Sequence, residues 1–372
     1  MKNALKLIHG FLILACVPHH ALGQGDLAVY DTFSRYSPAV FTVSVEIPEE
    51  FILQRYEDNI NRLKTYQEYF SDFLSGRSDG MFTFNQFEAL FTHLERRLDL
   101  LKEQLLKNNR IRGAAFAVDN NHLVTLSTVV KSATLGGDIF VMGDQNQRIP
   151  AVLQGVDDLT GVAVLRILDA TLDRFVEFDR YTTNLPEASY IMTIQRPYDL
   201  PATPISGMIG GYYRQVNLFP MEKYIQTDFP LYPGNEGAPV FSPSGQLVGM
   251  IATEFHIGGW PSVTFVIPAD YVVDSAREII QTGKRERGVF PGVVLALNEK
   301  GVLVSEVKQD SPYVDELQPG DIIIGINHLK DSDQLSLYYG LMNTKPNEKI
   351  RLQILRGDTN LELVLESSRI TR

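Results

Sequence analysis

The feature that most constrains the fold is a series of short strand-like segments between Gly113 and Pro268. Each segment is rich in β-branched, aromatic or other apolar residues, and turn residues separate one segment from the next. The segments are 114–118, 122–126, 138–142, 161–167, 190–194, 246–253 and 263–267. Repeated short strands of this kind predict a mainly β architecture that is either closed or sandwiched.

Residues 49–108 interrupt this strand pattern. Apolar residues recur there at three- and four-residue steps in two runs, and the polar stretch 75–80 separates the runs. This spacing predicts an inserted α-helical hairpin. The second run carries more apolar residues than one partner helix normally covers, namely Phe87, Leu90, Phe91, Leu94, Leu98, Leu100, Leu101, Leu105 and Leu106. The two helices therefore either cover each other or form an arm that docks on another chain.

Length and charge limit the classes of protein that this chain can represent. A chain of 372 residues suggests at least two domains. Its net charge of −11 argues against general nucleic-acid binding, which needs a basic surface. A helix over 269–281 and a charged linker precede a last β-rich unit, residues 288–367, with a helix near 332–343.

The N-terminus has the pattern of an export signal. Two lysines are followed by the apolar stretch 7–17, by Pro18, and by small residues before Gln24. Cleavage after Gly23 would remove two lysines and no acid, which changes the net charge from −11 to −13. Cys16 offers an alternative, because Leu14-Ala15-Cys16 loosely matches the site at which bacterial lipoproteins are cut and lipidated. Simple cleavage is the preferred interpretation, and it leaves a periplasmic protein without cysteine.

Two longer stretches resemble one known family. Residues 224–240, with Pro233-Gly234-Asn235-Glu236-Gly237, resemble the nucleophile loop of the HtrA/Deg trypsin-like proteases. Residues 301–304, 311–312 and 317–327 resemble the PDZ domain that those proteases carry. Shorter similarities in 123–130, 157–167 and 194–200 follow in the family's order. The resemblance implies a trypsin-like double β-barrel followed by one PDZ domain.

The resemblance also locates the three positions of a Ser-His-Asp triad, and all three hold other residues. Thr128 stands at the histidine position, Gly161 at the aspartate position and Glu236 at the serine position. Threonine is no general base near neutral pH, glycine orients nothing, and a carboxylate is a weak nucleophile toward an amide. On these residues the sequence predicts a degenerate pseudoprotease that is not an enzyme and has neither cofactor nor metal.

No other residue is an evident replacement for the triad. The histidines that remain after cleavage are His93, His122, His256 and His328, and surface or capping roles are expected for each. Ser127 is an unlikely nucleophile, because a strand continuing through it would point its side chain away from that of Thr128. The former oxyanion loop is Gly234, Asn235 and Glu236. The Glu236 carboxylate either folds back onto the amides of this loop or points to solvent.

A peptide groove is expected in the PDZ domain. PDZ domains add a peptide C-terminus as a strand and bind its carboxylate with backbone N–H groups. The matching loop contains Phe290, Pro291, Gly292 and Val293, and Leu337 and Leu341 lie on one face of the neighbouring helix. Pro291 removes one N–H donor, which puts carboxylate capture in doubt. Peptide binding is preferred over a PDZ domain that is kept for packing only.

These observations predict the following organisation. Residues 1–23 form the signal peptide, 24–278 the protease-like domain, 49–108 its helical insertion, 279–286 a linker and 287–372 the PDZ domain. The predicted function is that of a non-catalytic periplasmic scaffold, assembly factor or peptide sensor, with other proteins or peptide C-termini as partners. An atypical HtrA-class peptidase or chaperone is one alternative, and a regulatory subunit in an oligomer with an active relative is another.

Overall fold

The computed structural model describes residues 24–75, 84–107, 109–144, 147–214, 223–255, 263–327, 329–330 and 334–369. The predicted signal peptide and Cys16 lie outside these ranges, and so do His256 and His328. No helix within the described part of the chain is long and apolar enough to cross a membrane.

Two six-stranded closed barrels form the first domain. The strands of the first barrel are β1 (Val40–Glu46), β2 (Arg110–Ala117), β3 (His122–Leu126), β4 (Asp138–Met142), β5 (Arg148–Asp157) and β6 (Val162–Ile167). The strands of the second are β7 (Tyr190–Gln195), β8 (Thr203–Arg214), β9 (Tyr224–Thr227), β10 (Pro239–Phe241), β11 (Leu247–Phe255) and β12 (Val263–Pro268). The spatial order is β1-β2-β3-β6-β5-β4 in one barrel and β10-β11-β12-β9-β8-β7 in the other. All pairs are antiparallel, and apolar side chains fill both interiors.

Five helices accompany the barrels. They are α1 (Gln24–Tyr36), α2 (Glu49–Ser75), α3 (Phe84–Lys107), the single turn α4 (Ser127–Val130) and α5 (Ala269–Thr282). The ring of Tyr36 stacks on that of Phe241 at 4.6 Å, which holds α1 against the second barrel. Gly283 ends α5 at φ +80°, a left-handed conformation that favours glycine. The predicted linker 279–286 therefore begins inside a helix.

The helical hairpin is inserted between two paired strands. Strand β1 ends at Glu46, opposite Arg110 of β2, and α2 and α3 lie between them in the chain. Ile47 donates its N–H to the Asn109 carbonyl at 2.9 Å, which closes the base of the insertion. The barrel is therefore continuous beneath the hairpin.

The C-terminal unit has the strands and the helix of a PDZ domain. Its elements are β13 (Gly288–Val289), β14 (Val293–Asn298), β15 (Gly301–Val307), β16 (Ile322–Ile326), β17 (Leu329–Lys330), α6 (Gln334–Met342), β18 (Lys349–Arg356), β19 (Thr359–Glu366) and β20 (Ser368–Arg369). The sheet order β14-β15-β16-β18-β19 leaves β14 at an edge. The predicted fold class, a mainly β double barrel with an inserted helical hairpin and a following PDZ domain, is confirmed.

Candidate active site

The loop between β9 and β10 is fixed by two glycines and a buried asparagine. Gly234 and Gly237 have φ values of +79° and +91°. A Cβ atom on Gly237 would lie 2.3 Å from the carbonyl oxygen of Ala114, so only glycine allows β2 to approach this loop. Asn235 is fully buried, and its Oδ1 accepts the Arg196 N–H at 2.7 Å. The backbone of the loop is therefore rigidly placed on the first barrel.

The Glu236 carboxylate lies beside the amides of its own loop. The backbone N–H groups of Glu236, Gly234 and Asn235 are near enough to favour its charged form. Burial raises the pKa of Glu236, and the negative charge of Glu254 raises it further, while the three N–H groups oppose this shift. Of the two orientations considered from the sequence, the structure has the one in which the carboxylate folds back. The amides of this loop therefore face the carboxyl group of Glu236.

Thr128 and Gly161 lie on two loops that meet. The Ser127 N–H donates to the Gly161 carbonyl at 2.7 Å, and the Gly161 N–H donates to the Asp157 carbonyl at 2.8 Å. Strand β3 ends at Leu126, and α4 then leaves Ser127 buried and Thr128 exposed. Ser127 and Thr128 differ in exposure as expected, although a helical turn and not a continued strand is the cause.

The loop between β9 and β10, which contains Glu236, reaches the same end of β3. A Cβ atom on Gly237 would be 2.9 Å from Thr125 Oγ1 and 3.1 Å from the Leu126 N atom. The loops that contain Thr128, Gly161 and Glu236 therefore converge, as the family resemblance implies. The side chains at these positions offer one carboxyl group and one hydroxyl group.

Neither described histidine lies at this convergence. His122 begins β3, and its Nδ1 contacts Asp119 Oδ2 at 2.8 Å. That position is four residues from Leu126, roughly 13 Å along an extended strand. His93 is exposed on α3. The expected capping and surface roles therefore fit both residues.

A buried ion pair adjoins the Gly161 loop, and the sequence analysis did not identify it. Asp157 is 1% exposed and receives the Arg287 guanidinium, with Nη2 and Oδ2 2.6 Å apart. Ser275 and Thr160 donate to the same Oδ2 at 2.6 and 2.8 Å. Burial alone would raise the pKa of Asp157, but Arg287 and the two hydroxyl groups outweigh it and hold this pKa below its usual range. Its neighbours come from α5 and from the start of the PDZ domain, so no local pattern reveals it.

The residues expected at the PDZ groove differ from one another in burial. Leu337 and Leu341 are 1% and 2% exposed and belong to the PDZ core. Phe290 and Val293 are half-buried and pack against that core. The Val293 N–H donates to the Phe290 carbonyl at 3.0 Å, so Pro291 and Gly292 lie in a tight turn at the start of edge strand β14. That these residues contact a peptide remains a prediction.

Comparisons with known proteins give the family. A trypsin-like peptidase domain model matches residues 113–250, and a PDZ domain model matches residues 290–366. The serine endoprotease DegS of Haemophilus influenzae is 29% identical over 272 residues, which are 68% of this chain and 75% of DegS. This chain therefore combines a trypsin-like peptidase domain with a PDZ domain, and it is similar in sequence to HtrA/DegP-type serine endoproteases.

Other similar proteins differ from this chain in length. A probable periplasmic DegP-like serine endoprotease of Chlamydia pneumoniae is 30% identical over 284 residues, 70% of this chain and 56% of the relative. The chain thus spans little more than half of that protein. A solved structure of the HtrA-type protease AlgW with a decapeptide superimposes with a TM-score of 0.62 and 22% identity, over 92% of this chain and 99% of that one. This structural similarity supports the fold.

These comparisons correct one prediction from the sequence. The prediction that the chain is not an enzyme is wrong, because its curated HtrA/DegP-family relatives are named serine endoproteases and its structural neighbours are HtrA-type proteases. The prediction rested on the three triad positions and on the lack of an evident replacement among the histidines and Ser127. It did not consider the Glu236 carboxyl, with its raised pKa, as an acid or base in its own right.

Proposed function

We propose that this HtrA-family chain is an exported peptidase and chaperone that acts on polypeptide segments in the periplasm. The signal-like pattern of residues 1–23 and the DegP-like relatives, which are named periplasmic endoproteases, support export. The observation that carries the proposal is that the backbone N–H groups of Gly234, Asn235 and Glu236 face the Glu236 carboxyl group, in a loop that converges with those of Thr128 and Gly161. In acyl transfer such donors stabilise the oxyanion that forms on the scissile carbonyl.

The role of Glu236 follows from its chemistry. Thr128 and Gly161 supply neither a base nor an orienting carboxylate, so peptide hydrolysis at this loop runs through the Glu236 carboxyl group. A carboxyl group with a raised pKa is suited to general acid–base catalysis. Its carboxylate takes a proton from a water molecule that attacks the peptide carbonyl, and it then returns that proton to the leaving amine nitrogen. When the carboxylate leaves the amides to do so, they become available to the oxyanion.

The experiment compares cleavage by the purified mature chain and by Glu236→Gln, with casein as the substrate. We expect the variant to lose at least about a hundredfold in rate, a typical cost of removing a general acid–base group. We expect no fluorophosphonate labelling, because no serine stands at the loop. Glu362→Gln is the matched control, because Glu362 is half exposed on the PDZ sheet, away from the loop of Glu236, and pairs with Arg351. Absence of cleavage by the unmodified chain, or equal cleavage by Glu236→Gln, would refute this role of Glu236.

A role in assembly, scaffolding or peptide sensing is the second candidate, and the hairpin favours it. Leu90, Leu100, Leu101 and Leu105 of α3 are 44–54% exposed, which is apolar area suited to a protein partner. The same surface suits a regulatory subunit that joins an oligomer with an active relative. Pull-down from a periplasmic extract, with chains that lack the hairpin or the PDZ domain, tests this candidate. Unchanged recovery of partners after both deletions would contradict it.

A further inference from the structure

A groove lies along one side of the helical hairpin, where α2 and α3 pack against each other. Its volume is about 400 Å³. Four residues of each helix line it, at the spacing i, i+3, i+4 and i+7 that places side chains on one helical face. They are Asn59, Arg62, Leu63 and Tyr66 of α2 and Leu94, Arg97, Leu98 and Leu101 of α3. We call this site the hairpin groove.

Most of the surface of the hairpin groove is apolar. Leu63, Leu94 and Leu98 are half-buried between the two helices. Tyr66 and Leu101 are 61% and 47% exposed, so that a large part of each side chain faces solvent. Covering this apolar surface with another molecule would be favourable.

On α3 the apolar stripe extends beyond the groove at both ends. Leu90 and Leu105 stand four residues before Leu94 and four after Leu101, and they are 52% and 44% exposed. Together with Leu98 these leucines are spaced at steps of four, four, three and four residues, the pattern of a helix that packs along another helix. The stripe is about 22 Å long. It therefore matches one helix of about 15 residues.

The other side of the contact between α2 and α3 is closed by polar groups. Tyr56 donates its hydroxyl hydrogen to Asp99 Oδ1 at 2.5 Å, and Lys102 Nζ contacts the same oxygen at 3.4 Å. Asp99 follows Arg97 by two residues, which is a rotation of about 200° around the helix. Side-chain contacts within the hairpin thus cover one side of the helix contact and leave the groove side open.

Two arginines stand at the rims of the hairpin groove, one on each helix. Arg62 and Arg97 are exposed, and neither has a hydrogen bond or an ion pair with any residue in the described part of the chain. Asp58, four residues before Arg62 on α2, is not paired with it there either. Both guanidinium groups therefore remain available to carboxylates of a bound molecule.

We propose that the hairpin groove binds an amphipathic helix of a partner protein whose apolar stripe is flanked by aspartate or glutamate. An apolar groove on a protein surface accommodates the apolar face of such a helix. Carboxylates beside that face would pair with Arg62 and Arg97 on the two rims. A second copy of the hairpin is a poorer match, because a symmetric pair presents the same patch on both sides and brings the arginine rims together.

This inference rests on the second candidate function, a role in assembly, and names the chemistry of the partner. The two remain separable by experiment. Partners recovered through the PDZ domain would still support a role in assembly if the hairpin groove bound no helix. Casein cleavage tests the peptidase role independently of both.

The test is a binding measurement with two synthetic helices. The probe is a fluorescein-labelled peptide of about 18 residues, slightly longer than the stripe. It has leucine at heptad positions a and d, glutamate at e and g, glutamine elsewhere and an amidated C-terminus, which prevents carboxylate capture by the PDZ domain. Its matched partner has lysine at e and g.

Anisotropy titration of the full mature chain is expected to show roughly tenfold tighter binding of the glutamate peptide, because two surface ion pairs replace two repulsive contacts. Added salt should reduce this difference. The net charge of the chain, −11, would by itself favour the lysine peptide, so a preference for glutamate indicates a specific site.

Variants on α3 locate the site. Arg97→Gln is expected to weaken binding of the glutamate peptide about threefold. Arg96→Gln is its matched control, because Arg96 is exposed on the same helix and does not line the groove. Leu101→Asn should weaken binding of both peptides about tenfold. Leu100→Asn should leave it unchanged, because Leu100 is 54% exposed outside the groove.

Circular dichroism verifies that each variant is folded. Absence of binding, equal or tighter binding of the lysine peptide, or equal effects of Arg97→Gln and Arg96→Gln would overturn the proposal. Sedimentation velocity tests the alternative occupant, a second copy. Self-association that is lost in Leu101→Asn and kept in Leu100→Asn would show that another copy fills the groove, and would equally overturn the proposal.

Discussion

At the scale of single residues, Glu236 has an environment that stabilises and destabilises its charge at once. Backbone donors favour the carboxylate, whereas burial and Glu254 favour the protonated form, and the net result is a raised pKa. A carboxyl group whose folded-state pKa exceeds its unfolded value of about 4.5 lowers the free energy of unfolding as pH rises between those two values. A glutamine at this position carries no charge, so the free energy of unfolding of the variant does not fall in this way.

The resulting prediction concerns thermal stability. Glu236→Gln should raise the melting temperature at pH 7.5, and each 1 kcal/mol of stability corresponds to about 2–4 °C in a domain of this size. The difference should shrink as pH falls through about 4.5, where the carboxyl group becomes protonated in the unfolded chain as well. Differential scanning calorimetry from pH 4 to 8 measures it. A difference that does not change with pH would show that Glu236 is not destabilised by its charge.

At the scale of elements, the helical hairpin is nearly independent of the barrel that carries it. Of the side chains described in α2 and α3, Ile52 and Phe91 are the buried hydrophobic ones, while Leu53, Tyr66 and Tyr69 of α2 are exposed like the leucines of α3. Its base is closed by hydrogen bonds between Ile47 and Asn109, including Asn109 Nδ2 to the Ile47 carbonyl at 3.1 Å. The stability of the barrel therefore depends little on the hairpin.

We therefore expect the barrel to tolerate removal of the hairpin. Replacing residues 48–108 with an Asn-Gly turn, which suits a two-residue connection between antiparallel strands, should change the melting temperature by less than about 5 °C. Partner recovery or self-association should fall at the same time, as measured by pull-down and by size-exclusion chromatography with light scattering. Loss of the folded barrel would contradict the inference that the hairpin is a separate element.

At the scale of the whole molecule, the ion pair between Asp157 and Arg287 joins the PDZ domain to the barrels. Asp157 is held with a lowered pKa, so the stability that it contributes is present above about pH 3.8 and is lost as pH falls through its folded-state pKa. The Tyr271 ring on α5 also meets the Tyr339 ring on α6, with centroids 4.1 Å apart. The ion pair thus connects β5 with the PDZ domain, and the ring contact connects α5 with it.

Breaking this pair from one side should be costly. Arg287→Met leaves a buried carboxylate without its partner and is expected to lower the free energy of unfolding by roughly 3–5 kcal/mol at pH 7. Urea unfolding measures the loss, and the double variant with Asp157→Asn should recover most of it. Arg351→Met breaks an exposed pair with Glu362 and should cost no more than about 1 kcal/mol. Equal losses for the two single variants would mean that the buried pair contributes no more to the free energy of unfolding than the exposed pair.

The sequence patterns by themselves predicted a mainly β chain with an inserted helical hairpin, and the resemblance to a known family predicted the double barrel and the PDZ domain. Alternating strands, helical spacing and loop motifs such as Pro233-Gly234-Asn235 are local patterns, because each reflects the side chains and backbone conformation of one segment. The convergence of the loops that contain Thr128, Gly161 and Glu236 could also be predicted, but only through resemblance to a known family.

The tertiary structure decided what lies around those positions. Burial holds the pKa of Glu236 above its usual range, and Asp157 meets Arg287 from another domain. Leu337 and Leu341, placed by the sequence at a peptide groove, belong to the PDZ core. Burial and electrostatic interaction depend on distances between segments far apart in the chain, and these distances exist only once the barrels close and the domains pack.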